Sequence, residues 1–198
     1  MQKIMFGGDK LVYLKYSVSE KSDGKSLHII AKNALNELLK SAFGIENALP
    51  LIKTHRGGKP YIEGANFDFS DSHTENAIAV AACGEGGAVP GLICIDENFS
   101  KIGVDIEWAE RKTADKSMIK VIDKLYTAEE KNYVDIGAAG YKKRFLEIWT
   151  KKESIVKATG EGLSGVKKAD TNNFPCVFLK TEYVNIGDKE YIISIAGI

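Results

Sequence analysis

Apolar and polar positions alternate strictly along Ile102-Gly103-Val104-Asp105-Ile106-Glu107, and the rest of the chain is arranged around this stretch. A period of two predicts a strand. Ile102, Val104 and Ile106 then face the core, while Asp105 and Glu107 emerge together on the opposite face beside Gly103. Before it, residues 3–18 hold a strand-like piece with Leu11 to Leu14 as its apolar part. Ser22-Asp23-Gly24 signals a turn and a helix start. Leu27, Ile30, Ala31, Ala34, Leu35, Leu38 and Leu39 repeat at helical spacing, with Gly44 as C-cap. Residues 66–70 alternate like a strand, Ser70-Asp71-Ser72-His73-Thr74 reads as a polar break, and residues 76–83 are apolar on both faces, as a central strand requires. Residues 84–87 read as a hairpin-like loop and 92–96 as a further strand.

After the acidic strand, Met118, Ile119, Ile122, Leu125 and Tyr126 predict a helix. Thr127-Ala128-Glu129-Glu130 has the form of a capping box, with Glu130 at its fourth position. A break at residues 137–140 precedes a long helix whose stripe is Tyr141, Phe145, Ile148 and Trp149. The next members of that stripe are Lys152, Glu153, Val156 and Lys157, so charges stand where a plain core helix carries apolar residues. Gly160-Glu161-Gly162 ends the helix, and residues 174–180 and 190–196 read as two late strands. A helix followed by strands thus occurs twice, pointing to two similar halves that meet near residue 100.

Composition narrows the function classes. The chain has 198 residues, with 27 Lys plus Arg balanced by 27 Asp plus Glu, so no global field favours nucleic acid. No apolar span of membrane length and no signal-like N-terminus is present, and a cytoplasmic protein is expected. Cys83, Cys94 and Cys176 lack C-x-x-C spacing and read as reduced apolar residues; His28, His55 and His73 are equally scattered, which argues against zinc.

The chemistry centres on the carboxylates. Asp105 and Glu107 side by side repel one another, and a cation between them removes that cost. Mg²⁺ suits such a pair because it takes one or two carboxylates and keeps other positions for water and phosphate oxygens. A wet acidic edge strand is the plainer alternative. Glu153 is the third candidate: it shares a stripe with Trp149, where a buried carboxylate needs a partner. It also fits a local capping box with Thr150 and an ion pair with Lys157. Lys152 and Lys157 are candidate phosphate contacts. Lys53-Thr54-His55-Arg56-Gly57-Gly58-Lys59-Pro60 offers backbone N–H groups and cations for a phosphate, or is a solvated loop. Ser70, Asp71, Ser72 and His73 cannot form a catalytic triad, since neighbours in one run cannot converge.

Four segments together resemble one family. Gly58-Lys59-Pro60, the run from Phe67 to Ser72, Gly103-Val104-Asp105-Ile106-Glu107 and the run from Phe145 to Leu163 (FLEIWTKKESIVKATGEGL) are similar, in order and spacing, to the surfactin-synthetase-activating type of 4′-phosphopantetheinyl transferase. The resemblance implies an α+β fold, a pseudo-dimer of two similar helix-on-antiparallel-sheet halves. Residues 1–101 would form the coenzyme A adenine and 3′-phosphate side, and residues 102–198 the metal-binding and catalytic side. It implies transfer of the phosphopantetheine arm from coenzyme A to a serine of an apo acyl, peptidyl or polyketide carrier protein. No nucleic acid or membrane partner is implied, and a monomer is expected. By motif position Asp105, Glu107 and Glu153 would hold Mg²⁺. Glu130 would act as base, unless it is only a helix cap. Glu153 and Lys157 would take part in catalysis, Lys157 on the pyrophosphate. Lys59, Pro60, Ser72, His73, Arg56, Lys152 and Lys157 would contact the coenzyme.

One position departs from the pattern. The family has a histidine, contacting the 3′-phosphate, where this chain has Asp71. An acid there would repel that phosphate, and His73, on the same side of an extended chain, is the substitute. Lys25, His28 and Arg56 are the basic candidates near it. The departure bears on the choice between coenzyme A and its form lacking the 3′-phosphate. It also keeps open a non-catalytic module that docks on a carrier, and more distantly a nucleotide-using phosphotransferase.

Overall fold

The computed structural model describes residues 10–19, 23–84, 93–95, 100–176 and 178–198. The expected features at residues 3–9, 20–22, 85–92 and 96–99 lie outside the described residues. In chain order the elements are β1 (Lys10–Val18), α1 (Gly24–Phe43), β2 (Ile52–Thr54), β3 (Pro60–Ile62), β4 (Phe67–Thr74), β5 (Ala77–Gly84), β6 (Ile93–Ile95), β7 (Ile102–Trp108), α2 (Asp115–Leu125), α3 (Ala128–Val134), α4 (Tyr141–Thr159), β8 (Phe178–Ile186) and β9 (Lys189–Gly197). No helix among the described residues is long and apolar enough to cross a membrane.

Helix α1 forms where its stripe predicts. Asp23 caps it by accepting from the Ser26 amide, and Gly44 ends it at φ 70°. Its buried side chains, Leu27, Ala31, Leu35, Leu38 and Leu39, cover Phe69 of β4 and Ile78, Val80 and Ala82 of β5. The other face of β5, Ala77, Ala79, Ala81 and Cys83, packs against Ile102, Val104 and Ile106 of β7 and against Tyr191, Ile193 and Ile195 of β9. Helix α4 covers the outer face of the second sheet through Ile155 and Ala158, which cluster with Ala196. The layers therefore run helix, sheet, sheet, helix, so that each sheet buries both faces. Each buried Ile or Val in the middle of this stack contributes on the order of 2 kcal/mol.

The two sheets have one design. Strand orders are β4-β5-β1-β6 and β7-β9-β8, with antiparallel pairing throughout. In each, a strand (β1 or β7) leads to a long helix (α1 or α4), and then to a hairpin whose second strand pairs with the first. Both hairpins turn through two residues, Glu75-Asn76 and Gly187-Asp188, with φ 44° at Glu75 and 65° at Gly187. The chain is thus an α+β fold of two similar helix-on-antiparallel-sheet halves.

Three sequence expectations are corrected. The polar run from Ser70 to Thr74 is not a break but the second half of β4. The strand expected at residues 174–180 begins at Phe178 and runs to Ile186; Asp170 instead gathers Asn172, Asn173 and Phe174 into turns. Residues 53–60 do not form a free loop: their ends pair as the β2–β3 hairpin. The tip of this hairpin is pressed onto the end of α4, since a Cβ on Gly57 would overlap the Gly160 carbonyl oxygen.

Gly103 is needed for packing. A Cβ there would overlap the Ser154 carbonyl oxygen and crowd the Ala158 amide, so α4 lies directly on the bare backbone of β7. Gly103→Ala is expected to lower the unfolding free energy by about 2 kcal/mol or more, read as a lower urea midpoint at unchanged slope. Gly24→Ala, where a Cβ meets open space, is the control expected to lose nothing. An unshifted midpoint for Gly103→Ala would contradict the packing described.

Candidate active site at the junction of the two halves

The halves meet where β4 runs alongside the edge strand β7, and one face of β4 supplies the contact. Asp68 Oδ2 accepts from the Ile102 amide at 2.7 Å, and Ser70 Oγ accepts from the Val104 amide at 3.1 Å. Ser72 Oγ donates to Asp105 Oδ1 at 2.7 Å, and Thr74 Oγ1 donates to Glu107 Oε2 at 2.8 Å. The alternating polar residues 68, 70, 72 and 74 thus bind an unpaired strand edge and then the two carboxylates beyond it.

Asp105 and Glu107 are both 6 % exposed, on the face of β7 turned toward α4. Lys157 Nζ donates to Asp105 Oδ1 at 2.8 Å and to the Val104 carbonyl at 3.1 Å. Arg111 pairs with Glu107 Oε1. Asp105 Oδ2 is buried with no hydrogen-bond partner, an arrangement that costs about 1–3 kcal/mol or more unless something fills it. Burial, and then the charge of Asp105, push the Glu107 carboxyl above the usual carboxylate range, against the pull of Arg111. Glu153 is pushed up for the same reasons, burial first and then Asp105, with Lys157 opposing.

These side chains line one cleft of ≈ 470 Å³, whose walls include Ser72, His73, Arg111, Met118, Phe145 and Trp149. Trp149, expected in the core, is half-buried because it forms part of this wall. Among the described residues no three His, Cys, Asp or Glu side chains are already gathered as ligands of one ion. The donor set nevertheless fits a hard divalent cation. Asp105 and Glu107 sit on one strand face, Glu153 lines the same cleft and feels both charges, and one buried carboxylate oxygen is unfilled.

A second cavity of ≈ 830 Å³ adjoins the first and shares Asp71, Glu153 and Lys157 with it. Its walls come from α1 (His28, Ile29, Lys32), from the β2–β3 hairpin (Gly57, Gly58, Lys59, Pro60) and from the end of α4 (Val156, Gly160). Asp71 is held by Lys32 at 3.2 Å. His73 faces His28 edge-on at 6.4 Å, and partial burial lowers its affinity for a proton despite the nearby Asp71.

Several expected contacts are placed differently. Lys59 lines the cavity, but its ammonium is engaged in holding the two halves together: Nζ donates to Asp68 Oδ2 at 2.5 Å, to the Ala158 carbonyl at 2.9 Å and to the Ile102 carbonyl at 3.1 Å. Burial pulls it below the ordinary lysine value, with Asp68 opposing. Arg56 and Lys25 are exposed and line neither cavity. Lys152 and Glu130 are each 0 % exposed and pair with one another at 2.9 Å. Lys152 also donates to the Ala169 carbonyl at 2.5 Å and lies over the Tyr126 ring. Glu130 completes its capping box at the Thr127 amide and takes the Thr171 amide and hydroxyl at 2.9 and 3.0 Å. Neither residue lines the two cavities: Glu130 serves as the helix cap that was the alternative to a base, and Lys152, expected at a phosphate, is in an internal ion pair with it.

The sequence reading missed Thr74, Arg111 and Lys32. Thr74 was legible as the last member of the polar alternation 68-70-72-74, Arg111 stands four residues after Glu107, and Lys32 stands four after His28 on α1. Lys152→Met is expected to cost about 3–5 kcal/mol in urea unfolding, because it leaves Glu130 buried without its cation. Adding Glu130→Gln should recover at least half of that loss; a double variant as unstable as the sum of the singles would show the pair to be uncoupled.

No curated protein matches the chain. Residues 101–194, spanning β7 to β9, match the family model of the 4′-phosphopantetheinyl transferase superfamily.

Proposed function

We propose that the chain transfers the 4′-phosphopantetheine arm of coenzyme A to a serine hydroxyl of an apo acyl, peptidyl or polyketide carrier protein, with Mg²⁺ as cofactor. The observation that carries this reading is the buried, unpartnered Oδ2 of Asp105 in a cleft that also holds Glu107, Glu153 and Lys157. It lies within the stretch that matches the transferase family model.

Asp105, Glu107 and Glu153 would hold the Mg²⁺, which supplies charge neutralisation for the pyrophosphate. Lys157, already between Asp105 and the cleft, is the cation that follows the pyrophosphate as the leaving group gains charge. Ser72 and Thr74 keep the two strand carboxylates in fixed rotamers by donating to one oxygen of each. Arg111 screens Glu107 from Asp105 until a stronger cation arrives. The pair Glu130–Lys152 supports the site from behind by fixing the turn of α4 that carries Glu153. In this reading residues 1–101 supply the nucleotide side of the cleft, with Pro60, Ser72 and His73 lining it, and residues 102–198 supply the metal and pyrophosphate side. One chain contributes both walls, so a monomer suffices.

The test mixes the protein with an apo carrier, coenzyme A and Mg²⁺ and weighs the carrier. A mass gain equal to one phosphopantetheine, abolished by a chelator, is the expected result. Asp105→Ala should lower the rate on the order of a hundredfold or more without unfolding the protein. Unchanged activity in that variant would remove the metal assignment, and no gain with carriers from fatty-acid, polyketide and peptide synthesis would remove the transferase reading.

A further inference from the structure

The two strand carboxylates of the cleft are not equally open to a cation, and one side chain makes the difference. Asp105 has Oδ1 bonded to Ser72 at 2.7 Å and to Lys157 at 2.8 Å, while its Oδ2 is open. Lys157, tied also to the Val104 carbonyl at 3.1 Å, can therefore stay in place when a cation reaches Asp105. Both oxygens of Glu107 already carry a bond. Oε2 accepts from Thr74 at 2.8 Å, and Oε1 is paired with Arg111.

These two partners of Glu107 are held very differently. Thr74 is buried and is the last residue of β4, so its hydroxyl is fixed by the fold. Arg111 stands beyond the end of β7, after a turn closed by its own amide on the Trp108 carbonyl. Its side chain is 43 % exposed, and among the described residues its guanidinium has no hydrogen bond besides the one to Glu107. A half-exposed ion pair is weak and breaks without disturbing the fold. A divalent cation bound to the Glu107 carboxylate repels the guanidinium, so the two do not share Oε1.

We infer that Arg111 competes with the metal for Glu107: it neutralises this carboxylate in the metal-free chain, and it must leave Oε1 before Glu107 binds a divalent cation. The strength of that pair then sets how tightly the cation is held. The inference rests on the metal assignment made with the transferase reading. It gives Arg111 two effects of opposite sign. The side chain stabilises the metal-free fold by offsetting the repulsion between Glu107 and Asp105, and it weakens metal binding, because the cation gains only the difference between the two states. A side chain that merely shaped the cleft would support both, and its loss would weaken both.

The probe is Mn²⁺, which takes the same oxygen ligands as Mg²⁺ in octahedral geometry and whose free form is counted by electron paramagnetic resonance. The full chain is titrated without coenzyme or carrier. Arg111→Gln is expected to bind Mn²⁺ at least about threefold more tightly than the wild type, the scale of a half-exposed ion pair. It should also melt at a lower temperature in chelator, yet gain more than the wild type from one fixed Mn²⁺ concentration. Lys112→Gln removes the neighbouring charge, which is exposed and outside the cleft, and is expected to leave binding unchanged. A gain below about threefold for Arg111→Gln, weaker binding, no loss of melting temperature in chelator, or an equal gain in Lys112→Gln overturns the inference. So does the failure of both wild type and Arg111→Gln to bind the ion. Asp105→Ala and the carrier mass keep the claims apart. Loss of Mn²⁺ binding in Asp105→Ala, with no effect of Arg111→Gln, keeps the metal assignment and removes the competition. Tighter binding in Arg111→Gln, with no mass gain on any carrier, keeps the competition and removes the transferase reading.

Discussion

The structure depends on how one strand edge is satisfied. Strand β7 ends its sheet, and an unpaired edge presents N–H groups that must bond to something once buried. Asp68 and Ser70 of β4 accept from the Ile102 and Val104 amides, so the edge is closed by side chains instead of by another backbone. This has a geometric consequence. A side-chain ladder keeps the strands of the two halves apart, leaves Ser72 and Thr74 free to reach Asp105 and Glu107, and allows a cleft to open toward α4. Lys59 reinforces the same seam by binding one carboxylate of the first half and two carbonyls of the second.

Electrostatics then gives the cleft its character. Carboxylates on one strand face, nearly buried, cannot stay ionised cheaply without cations. Lys157 and Arg111 supply two, each from outside β7. They satisfy one oxygen of Asp105 and one of Glu107 and leave Asp105 Oδ2 unfilled. Deeper in the same half, Glu130 and Lys152 show the opposite outcome: an ion pair with every oxygen engaged and no exposure, which holds helices together and has no capacity left for a ligand.

Much of this was legible in advance from local pattern. The alternation at residues 102–107 placed Ile102, Val104 and Ile106 in the core and the acids opposite, and the capping signals at Asp23, Gly44 and Thr127 were all used. The failures share a cause. Ser70 to Thr74 was taken for a break because polar residues rarely fill a strand face, yet here that face meets a polar seam. Lys152 and Glu153 are adjacent on one helix and were both assigned to the ligand site, one to phosphate and the other to metal; a rotation of about 100° between neighbours sends one inward to Glu130 and the other to the cleft. Gly103, legible only as the small residue beside the acids, gives its space to the backbone of α4.

By itself the sequence determined most of the elements, their buried faces, the repetition of a helix followed by strands, and the residue types able to hold a cation. Periodicity and capping act over a few residues, so they can be read without knowing what lies opposite. Which charges meet was decided only by the tertiary structure. Whether a lysine serves a ligand or a carboxylate depends on a partner outside its own turn of chain: Lys32 reached Asp71, Lys59 reached Asp68, Lys157 reached Asp105 and Lys152 reached Glu130. Coulomb attraction between such groups carries no local signature in the chain, because it depends on distance in space, and folding alone sets that distance.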